Sequence, residues 1–339
     1  MKIRLVQTIR NYDKKNLGKD LTAGLIIMAV SIPISMGYAQ IAGLPAVYGL
    51  YGSVFPILLF VLFSTSPQFI FGVDAAPAAL IGAALLDLHI ESGSEEALAA
   101  VPVLTAFVAL WLLAFYVMRA GKLVNYISAP VMGGFITGIC TTIILMQVPK
   151  LLGGTAGTGE FFELVEHIAE TVGEINLPSL ALGAAALVIV LTAKKVIPKF
   201  PMAVLLMAAG ALMTKYLPLR AWGIKTLDAV EPGLPVWSLP DFTAVPVREA
   251  VTISLSVAVV IMAETLLAEN NFAQKNGYRI NDNQEILAFA MGNLAAALTG
   301  CCPINGSVSR TAMGEQYQAK TQLTGIVAGL SMIVLLLGG

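Results

Sequence analysis

The stretch that decides the fold is "PINGSVSRTAMG", residues 303–314. It places Arg310 among three hydroxyl side chains, directly after a turn-forming Pro and Gly, between two strongly apolar segments. A charged side chain at the centre of a membrane costs on the order of 3 kcal/mol even on translocon-insertion scales. An arginine at this position therefore indicates an anion site within the membrane rather than a lipid-facing helix.

The composition around this stretch is that of a membrane protein. Of the 339 residues, 57% are hydrophobic and only 12% are charged, whereas soluble domains carry about 25% charged residues. Apolar runs long enough to cross a bilayer, about 17–25 residues, recur along the chain. We therefore predict an all-α polytopic membrane protein. The net charge of −1 gives no indication of nucleic-acid binding, and we expect no cleavable signal peptide in the polar N-terminal segment.

Hydropathy divides the chain into eleven predicted segments. They lie at 20–41, 48–64, 74–88, 100–118, 123–148, 181–197, 201–217, 249–269, 283–300, 307–320 and 322–338. Loops are predicted at 89–99, 149–180, 218–248 and 270–282. Within the second loop, residues 161–175 have apolar side chains at helical spacing, which predicts an amphipathic helix lying on the membrane surface.

The distribution of Lys and Arg predicts the orientation. These residues concentrate on the side that holds the N-terminal segment 1–19, and acids such as Asp87 and Glu91 fall on the other side. By the positive-inside rule the N-terminus is cytoplasmic. We therefore expect a multi-pass protein of the cell (inner) membrane.

Two segments are too short to span the bilayer. Segments 74–88 and 307–320 hold about 14 residues each, roughly 21 Å of helix, against a hydrocarbon core of about 30 Å. Each follows a β-prone or turn-like piece, "QFIFG" (68–72) or "CCPING" (301–306). Such paired half-helices are typical of inverted-repeat transporters.

The repeats set the predicted domain organisation. A cytoplasmic segment precedes the first repeat of seven segments, and an extracytoplasmic loop separates this repeat from a partial second one. The corresponding ranges are 1–19, 20–217, 218–248 and 249–339.

Half-helices can bind anions because their first N–H groups have no carbonyl partner within the helix. We expect the N-termini of the two half-helices to face one another, with hydroxyls and a guanidinium beside them. The predicted substrate-binding residues are Tyr38, Asp74, Ala75, Ala76, Ser307, Val308, Ser309 and Arg310.

Arg310 requires a compensating charge, and Glu264 is the carboxylate expected to pair with it. One hypothesis is that Glu264 takes up a proton when the anion binds, which releases Arg310 to the substrate. The alternative is a static structural ion pair.

Asp74 and Tyr38 each permit two interpretations. Asp74 either caps the first half-helix or holds a proton or a cation. Tyr38 either contacts the anion or packs in the ordinary way; Pro33 and Gly37 interrupt its helix, as is usual beside a cavity.

No cofactor or metal site is predicted, because the three cysteines lack metal-ligand spacing and cannot form a disulfide framework. An enzyme is not expected either. A hydrolase would need a base beside a nucleophile, and the two histidines, His89 and His167, fall in loops.

Three motifs resemble the sulfate permease (SulP) family of anion transporters, relatives of prestin and pendrin. They are "LPAVYGLYGSVFP" (44–56), "GYRINDNQEILAFAMGN" (277–293) and "PINGSVSRTAMG", in the family's order. The resemblance implies a seven-plus-seven inverted repeat with two half-helices preceded by short strands, elevator-type movement and a homodimer. By position it assigns Tyr38, Asp74, Ser309 and Arg310 to the anion site and Glu264 to proton coupling.

The chain also departs from the family pattern. Asp74 stands where many members have an aromatic or hydroxyl residue, and "CCPING" replaces a commoner proline–threonine–glycine. The sequence stops after the eleventh segment, so we expect a truncated chain whose second repeat is incomplete.

These observations predict a proton-coupled secondary transporter of small oxyanions, sulfate-like, in the lipid bilayer. The alternatives are a sodium-driven bicarbonate or dicarboxylate transporter, or an anion exchanger or channel on the same fold. H+ or Na+ is accordingly the expected coupling ion.

Overall fold

The computed structural model describes residues 12–122, 129–155, 157, 161–197, 200, 202–226 and 233–338. Most of the predicted segment 1–19 and the first residues of the predicted segment 123–148 lie outside this part. The chain divides into two compact units, Met1–Met132 with Val230–Gly339, and Gly133–Ala229. The predicted repeat boundaries follow a different criterion and remain predictions.

Helices account for most of the described chain. In order they are α1 (Leu17–Ile41), α2 (Ala46–Tyr51), α3 (Phe55–Phe63), α4 (Ala75–Asp87), α5 (Glu95–Val117), α6 (Ala129–Leu152), α7 (Phe161–Val172), α8 (Leu177–Val196), α9 (Met202–Tyr216), α10 (Val247–Asn276), α11 (Asp282–Leu298), α12 (Val308–Gln316) and α13 (Leu323–Gly338). Short 3-10 helices lie at Lys14–Asn16 and Leu219–Trp222, and the strands are β1 (Phe71–Gly72) and β2 (Asn305–Gly306).

Several of these helices have the length and composition of membrane spans. In the described residues five stretches are long and apolar enough to cross a bilayer: Lys14–Ile41, Ala46–Phe63, Glu95–Val117, Leu177–Val196 and Val247–Asn276. The shorter apolar helices include α4 and α13. This pattern agrees with the predicted polytopic membrane protein.

The first unit packs around α11, which lies against α3 and α5, while α10 packs on α5 and α1 on α13. Three aromatic rings fix β1 within this core. Phe71 of β1 stacks on Phe60 of α3, with ring centroids 4.7 Å apart, and on Phe289 of α11, at 5.4 Å. Stacked rings bury a large apolar area, and here they hold the strand that leads into α4.

The two strands form a small antiparallel sheet in which Phe71 pairs with Gly306 and Gly72 with Asn305. Because the strands are antiparallel, the helices that follow them leave from opposite ends of the sheet. These helices, α4 and α12, have 13 and 9 residues, or about 20 and 14 Å. Both predicted half-helices are therefore confirmed, as are the strands before them.

The second half-helix is shorter than the predicted 307–320. It ends at Gln316, and Gln318 has a positive φ of 63°, which a continuing helix does not allow. The loop that follows is held by Asp20 of α1, a fully buried carboxylate. Asp20 accepts hydrogen bonds from the Lys320 N–H at 2.6 Å and the Thr321 hydroxyl at 2.8 Å. These bonds compensate the buried charge and fix the loop.

Further boundaries differ from the prediction, since α5 begins at Glu95, within the predicted loop 89–99, and α8 at Leu177, within the predicted loop 149–180. The predicted loop 270–282 is wrong in its first half, because α10 continues through Asn276. Gly277, with a φ of +72°, caps the end of the helix. Buried Phe272 and Ala273 explain the extension. The predicted single segment 48–64 is divided into α2 and α3 by a break at 52–54.

In the second unit, α8 packs on α9. The amphipathic helix predicted within 161–175 is present as α7. Phe162 is 81% exposed and Val165 is also exposed, whereas Leu164 is buried. The exposed apolar side chains fit the predicted position at a membrane surface.

Candidate functional site

The site is built around the start of each half-helix. Asp74 is the N-cap of α4, and its carboxylate accepts a 2.7 Å hydrogen bond from the Ala75 N–H. This contact confirms the predicted capping role. Pro77 carries no N–H, so among the first three residues of α4 only the Ala76 N–H is left without a partner in the helix or its cap.

The start of α12 offers more donors. The Thr311 N–H donates to the Ser307 carbonyl at 3.0 Å, and this is the first bond of the helix. The N–H groups of Val308, Ser309 and Arg310 precede it and have no carbonyl partner within the helix. Val308 is 41% exposed and Ser309 is exposed as well. A ligand can therefore reach this end of the helix.

The hydroxyls at this end are paired with each other. The Ser307 and Ser309 side-chain oxygens lie 3.3 Å apart, and either can donate. Ser307 is buried, and no side-chain hydrogen bond from it caps α12. The predicted N-cap position is correct, but its hydroxyl is turned toward Ser309 rather than toward the helix amides.

Arg310 is fully buried, with 0% of its surface exposed. Its Nη2 donates a 2.6 Å hydrogen bond to the Val73 carbonyl, which joins the first turn of α12 to the residue just before Asp74. Nε and Nη1 have no hydrogen-bond partner among the described residues. The side chain therefore retains donor capacity for an anion.

The carboxylate partner of Arg310 is not the one we predicted from the sequence. Arg310 Nη2 lies 3.7 Å from Oδ2 of Asp74, whereas Glu264 accepts a 2.6 Å hydrogen bond from Nδ2 of Asn305. The β1–β2 pairing explains the difference: it places Gly306, and hence the start of α12, beside β1, and the Arg310 side chain extends past Gly72 to Val73 and Asp74. The predicted pairing of Arg310 with Glu264 is therefore wrong.

The remaining predicted residues lie nearby. The half-buried Tyr38 of α1 is close enough to interact electrostatically with Asp74, Arg310 and Glu264. Glu264 in turn interacts with Asp74. Residues from α1, α4, α10 and α12 thus converge on one region, as an anion-binding site requires.

Sequence reasoning missed Asn305 and Thr265. The Thr265 hydroxyl donates to Oδ1 of Asn305 and accepts a 3.1 Å hydrogen bond from the Gly306 N–H. These residues connect α10 to β2 directly before α12. Asn305 has a neutral side chain in a turn-like motif, so the search for buried charges did not identify it. Its position directly before a predicted half-helix could have indicated a role at the site.

No group of three or more His, Cys, Asp or Glu side chains that could hold a metal occurs in the described residues. The donors at the site are instead N–H groups, hydroxyls and a guanidinium. Together these groups suit an anion.

The helices, the two half-helices and the paired strands define a polytopic membrane protein with the inverted-repeat transporter fold. The chain belongs to the sulfate permease family, whose model matches residues 17–339. This finding confirms the family that the three motifs resemble.

Two relatives illustrate the match. A probable sulfate transporter of Mycobacterium tuberculosis is 30% identical over 331 residues, covering 97% of this chain and 59% of the relative. Sulfate transporter 2.2 of Arabidopsis thaliana is 28% identical over 342 residues, covering 96% of this chain and 50% of the relative. The chain thus spans 50 to 59% of the length of these relatives.

Solved structures support the fold. The murine Slc26a9 anion transporter in its inward-facing state has a TM-score of 0.82 at 22% identity, covering 97% of this chain and 58% of its own. The transmembrane domain of the cyanobacterial bicarbonate transporter BicA has a TM-score of 0.77 at 22% identity, covering 96% and 84%. The predicted fold class is confirmed.

Proposed function

We propose that this chain binds small oxyanions, sulfate-like in charge, between the N-termini of α4 and α12 and transports them by a proton-coupled mechanism. The observation that carries the proposal is the fully buried Arg310, two of whose nitrogens have no partner in the described part of the chain and lie beside two helix N-termini. Helix N-termini attract anions through their free N–H groups and the helix dipole. The anion would contact the N–H groups of Ala76, Val308 and Ser309, with the hydroxyls of Tyr38 and Ser309 alongside.

The charges of Asp74, Glu264 and Arg310 support proton coupling of the transport. With Asp74 and Glu264 both ionised, Arg310 leaves the region with one net negative charge, which repels an anion. A proton on Glu264 removes that charge and leaves an Asp74–Arg310 pair of zero net charge. Proton uptake at Glu264 would therefore favour anion binding, and the proton and the anion would be transported together.

Membership of the sulfate permease family supports the proposed transport of anions. The sulfate permease family and the relatives named as sulfate transporters support anion transport rather than an enzymatic reaction. We extend the proposal to elevator-type movement, a homodimer and an inner-membrane location with a cytoplasmic N-terminus.

A sodium-driven bicarbonate or dicarboxylate carrier is the second candidate. Asp74 and Glu264 interact electrostatically, and carboxylate oxygens are also ligands for a cation. The similarity to the bicarbonate transporter BicA, at 22% identity, bears on the fold alone. The coupling ion therefore separates the two candidates.

Uptake of labelled sulfate and bicarbonate into liposomes containing the purified chain tests the proposal. We expect an inward proton gradient to drive sulfate uptake and a sodium gradient to have no effect. In Glu264→Gln, uptake should continue but no longer respond to the proton gradient. Thr252→Ala, a control at an exposed position of α10, should behave as wild type.

Other outcomes would contradict the proposal. Uptake driven by sodium alone would support the second candidate. Flux at rates beyond those of a carrier would indicate a channel, and uptake of neither anion would refute anion transport by this chain.

A further inference from the structure

A second polar cluster lies where α10 meets α11 and the segment that follows α3. Its central residue is Glu269, which is 0% exposed and whose two carboxyl oxygens have no hydrogen-bond partner among the described residues. Glu269 follows Glu264 by five residues on α10, which rotates it by about 140° around the helix axis. The two acids therefore have different neighbours, and Glu269 is not part of the anion site.

Glu285, in the first turn of α11, is also fully buried but has several donors. The Ser64 hydroxyl donates to it at 2.8 Å and the Thr65 N–H at 2.5 Å, and the Thr65 hydroxyl donates as well. Three donors to one carboxyl group stabilise its ionised form. The surroundings of Glu285 are therefore those of a carboxylate.

Helices α10 and α11 pack against each other, and the two buried carboxyl groups of Glu269 and Glu285 are close enough for a side-chain hydrogen bond when one of them is protonated. Two carboxylates have only acceptor atoms, so they repel when both are ionised, and a buried unpaired charge is strongly unfavourable. A single proton converts the contact into an O–H···O⁻ hydrogen bond, with Glu269 donating and Glu285 accepting. That proton satisfies Glu269 without disturbing any donor to Glu285.

Among the described residues, the other titratable groups that act on Glu269 carry no positive charge. Asp282 of α11 and Tyr278 of the α10–α11 loop are the other titratable groups that interact with this pair, and Glu315 of α12 interacts with Tyr278. Asp282 accepts a 2.9 Å hydrogen bond from Asn270 of α10. A second negative charge at Glu269 would therefore have no compensating cation in this part of the described chain.

We propose that Glu269 and Glu285 form a binding site for one proton, separate from Glu264 and independent of the proposed transport. A proton suits this pair better than a metal ion does, because no group of three or more His, Cys, Asp or Glu side chains that could hold a metal occurs in the described residues. The proton connects α10 to α11 and to the segment 64–66. Loss of this proton leaves two buried carboxylates side by side. Because the two negative charges repel, α10 separates from α11 and from the segment 64–66.

Amide hydrogen exchange of the whole chain in lipid nanodiscs, measured across a pH series, tests this site. After correction for the intrinsic pH dependence, we expect exchange in segments 64–69 and 278–285 to rise at least tenfold at alkaline pH. Glu269→Gln should stay protected, because its amide donates to Glu285 and cannot ionise. Glu264→Gln is the matched control, and it should keep the wild-type response.

Infrared spectroscopy supplies a second readout that does not depend on the folding of Glu269→Gln. In the Glu264→Gln protein, a band from a buried protonated carboxyl group should disappear over the same pH range in which exchange rises. The absence of that band would refute the proposal, and so would an alkaline rise in exchange that persists in Glu269→Gln. Protection at alkaline pH by sodium but not by potassium would show that the pair binds a cation instead.

Discussion

Asn305 donates a hydrogen bond of 2.6 Å from its Nδ2 to Oε2 of Glu264. The same side chain accepts from the Thr265 hydroxyl, so one amide joins two consecutive residues of α10 to the strand before α12. A change in the charge of Glu264 therefore reaches the start of α12 through a single side chain. This hydrogen-bonded connection links the proposed proton site at Glu264 directly to the proposed anion site at the start of α12.

Replacement of Asn305 tests that route. Asn305→Ala removes both hydrogen bonds, and each buried bond contributes about 1 kcal/mol, or more where a charge is involved. We expect the dependence of sulfate uptake on the proton gradient to fall at least tenfold. Thr252→Ala removes a hydroxyl from an exposed position of the same helix and should leave that dependence intact. Equal effects of the two substitutions would contradict the route.

Arg310→Lys tests the anion site itself. Lysine keeps the positive charge but lacks the planar fork of donors that can bind Val73 and an oxyanion together. We expect at least tenfold weaker sulfate binding, which corresponds to about 1.4 kcal/mol, by isothermal titration calorimetry. The control is Arg248→Lys at an exposed position, and its affinity should match wild type. Unchanged affinity in Arg310→Lys would remove the arginine from the site.

The sheet that positions both half-helices depends on close packing at Gly306. A Cβ at this position would lie 2.3 Å from Cε1 of Phe69 and 2.5 Å from Cγ2 of Thr265. Overpacking of this kind costs about 1–3 kcal/mol, so Gly306→Ala should lower the Tm. Gly210→Ala is the matched control, because a Cβ there meets nothing within 4 Å in the described chain. It should be neutral or stabilising by up to about 1 kcal/mol.

Asp20 should be important for stability although it lies outside the proposed site. It accepts hydrogen bonds from Lys320, Thr321 and Thr324, and an amide in its place would turn a donor toward these donors. We expect Asp20→Asn to cost about 1–3 kcal/mol in free energy of unfolding, measured as a loss in Tm. Asp87→Asn, at an exposed position, should leave the Tm unchanged. A similar loss in both variants would argue against the buried carboxylate as the cause.

The sequence predicted what depends on local pattern. Short apolar segments after β-prone pieces indicated α4 and α12, and the acid before Ala75 indicated a cap. The hydroxyl-rich start of α12 likewise indicated an anion site. These features follow from hydropathy, helix length and capping chemistry, all of which act over a few neighbouring residues.

Partners across the fold could not be predicted in the same way. Whether Asp74 or Glu264 lies beside Arg310 depends on the pairing of β1 with β2, which joins residues more than two hundred positions apart. The buried contact of Glu269 with Glu285 likewise depends on how α10 packs on α11. The end of α10 was missed because residues 270–276 are mostly polar, and only tertiary packing buries Phe272 and Ala273.

The central claim is that the anion lies between the amide ends of α4 and α12 beside Arg310. An experimental structure of the chain with bound selenate, located by its anomalous scattering, tests this most directly. We predict a single strong peak within hydrogen-bonding distance of the Ser309 N–H and of the guanidinium of Arg310. A peak elsewhere, with this position empty at saturating selenate, would contradict the account.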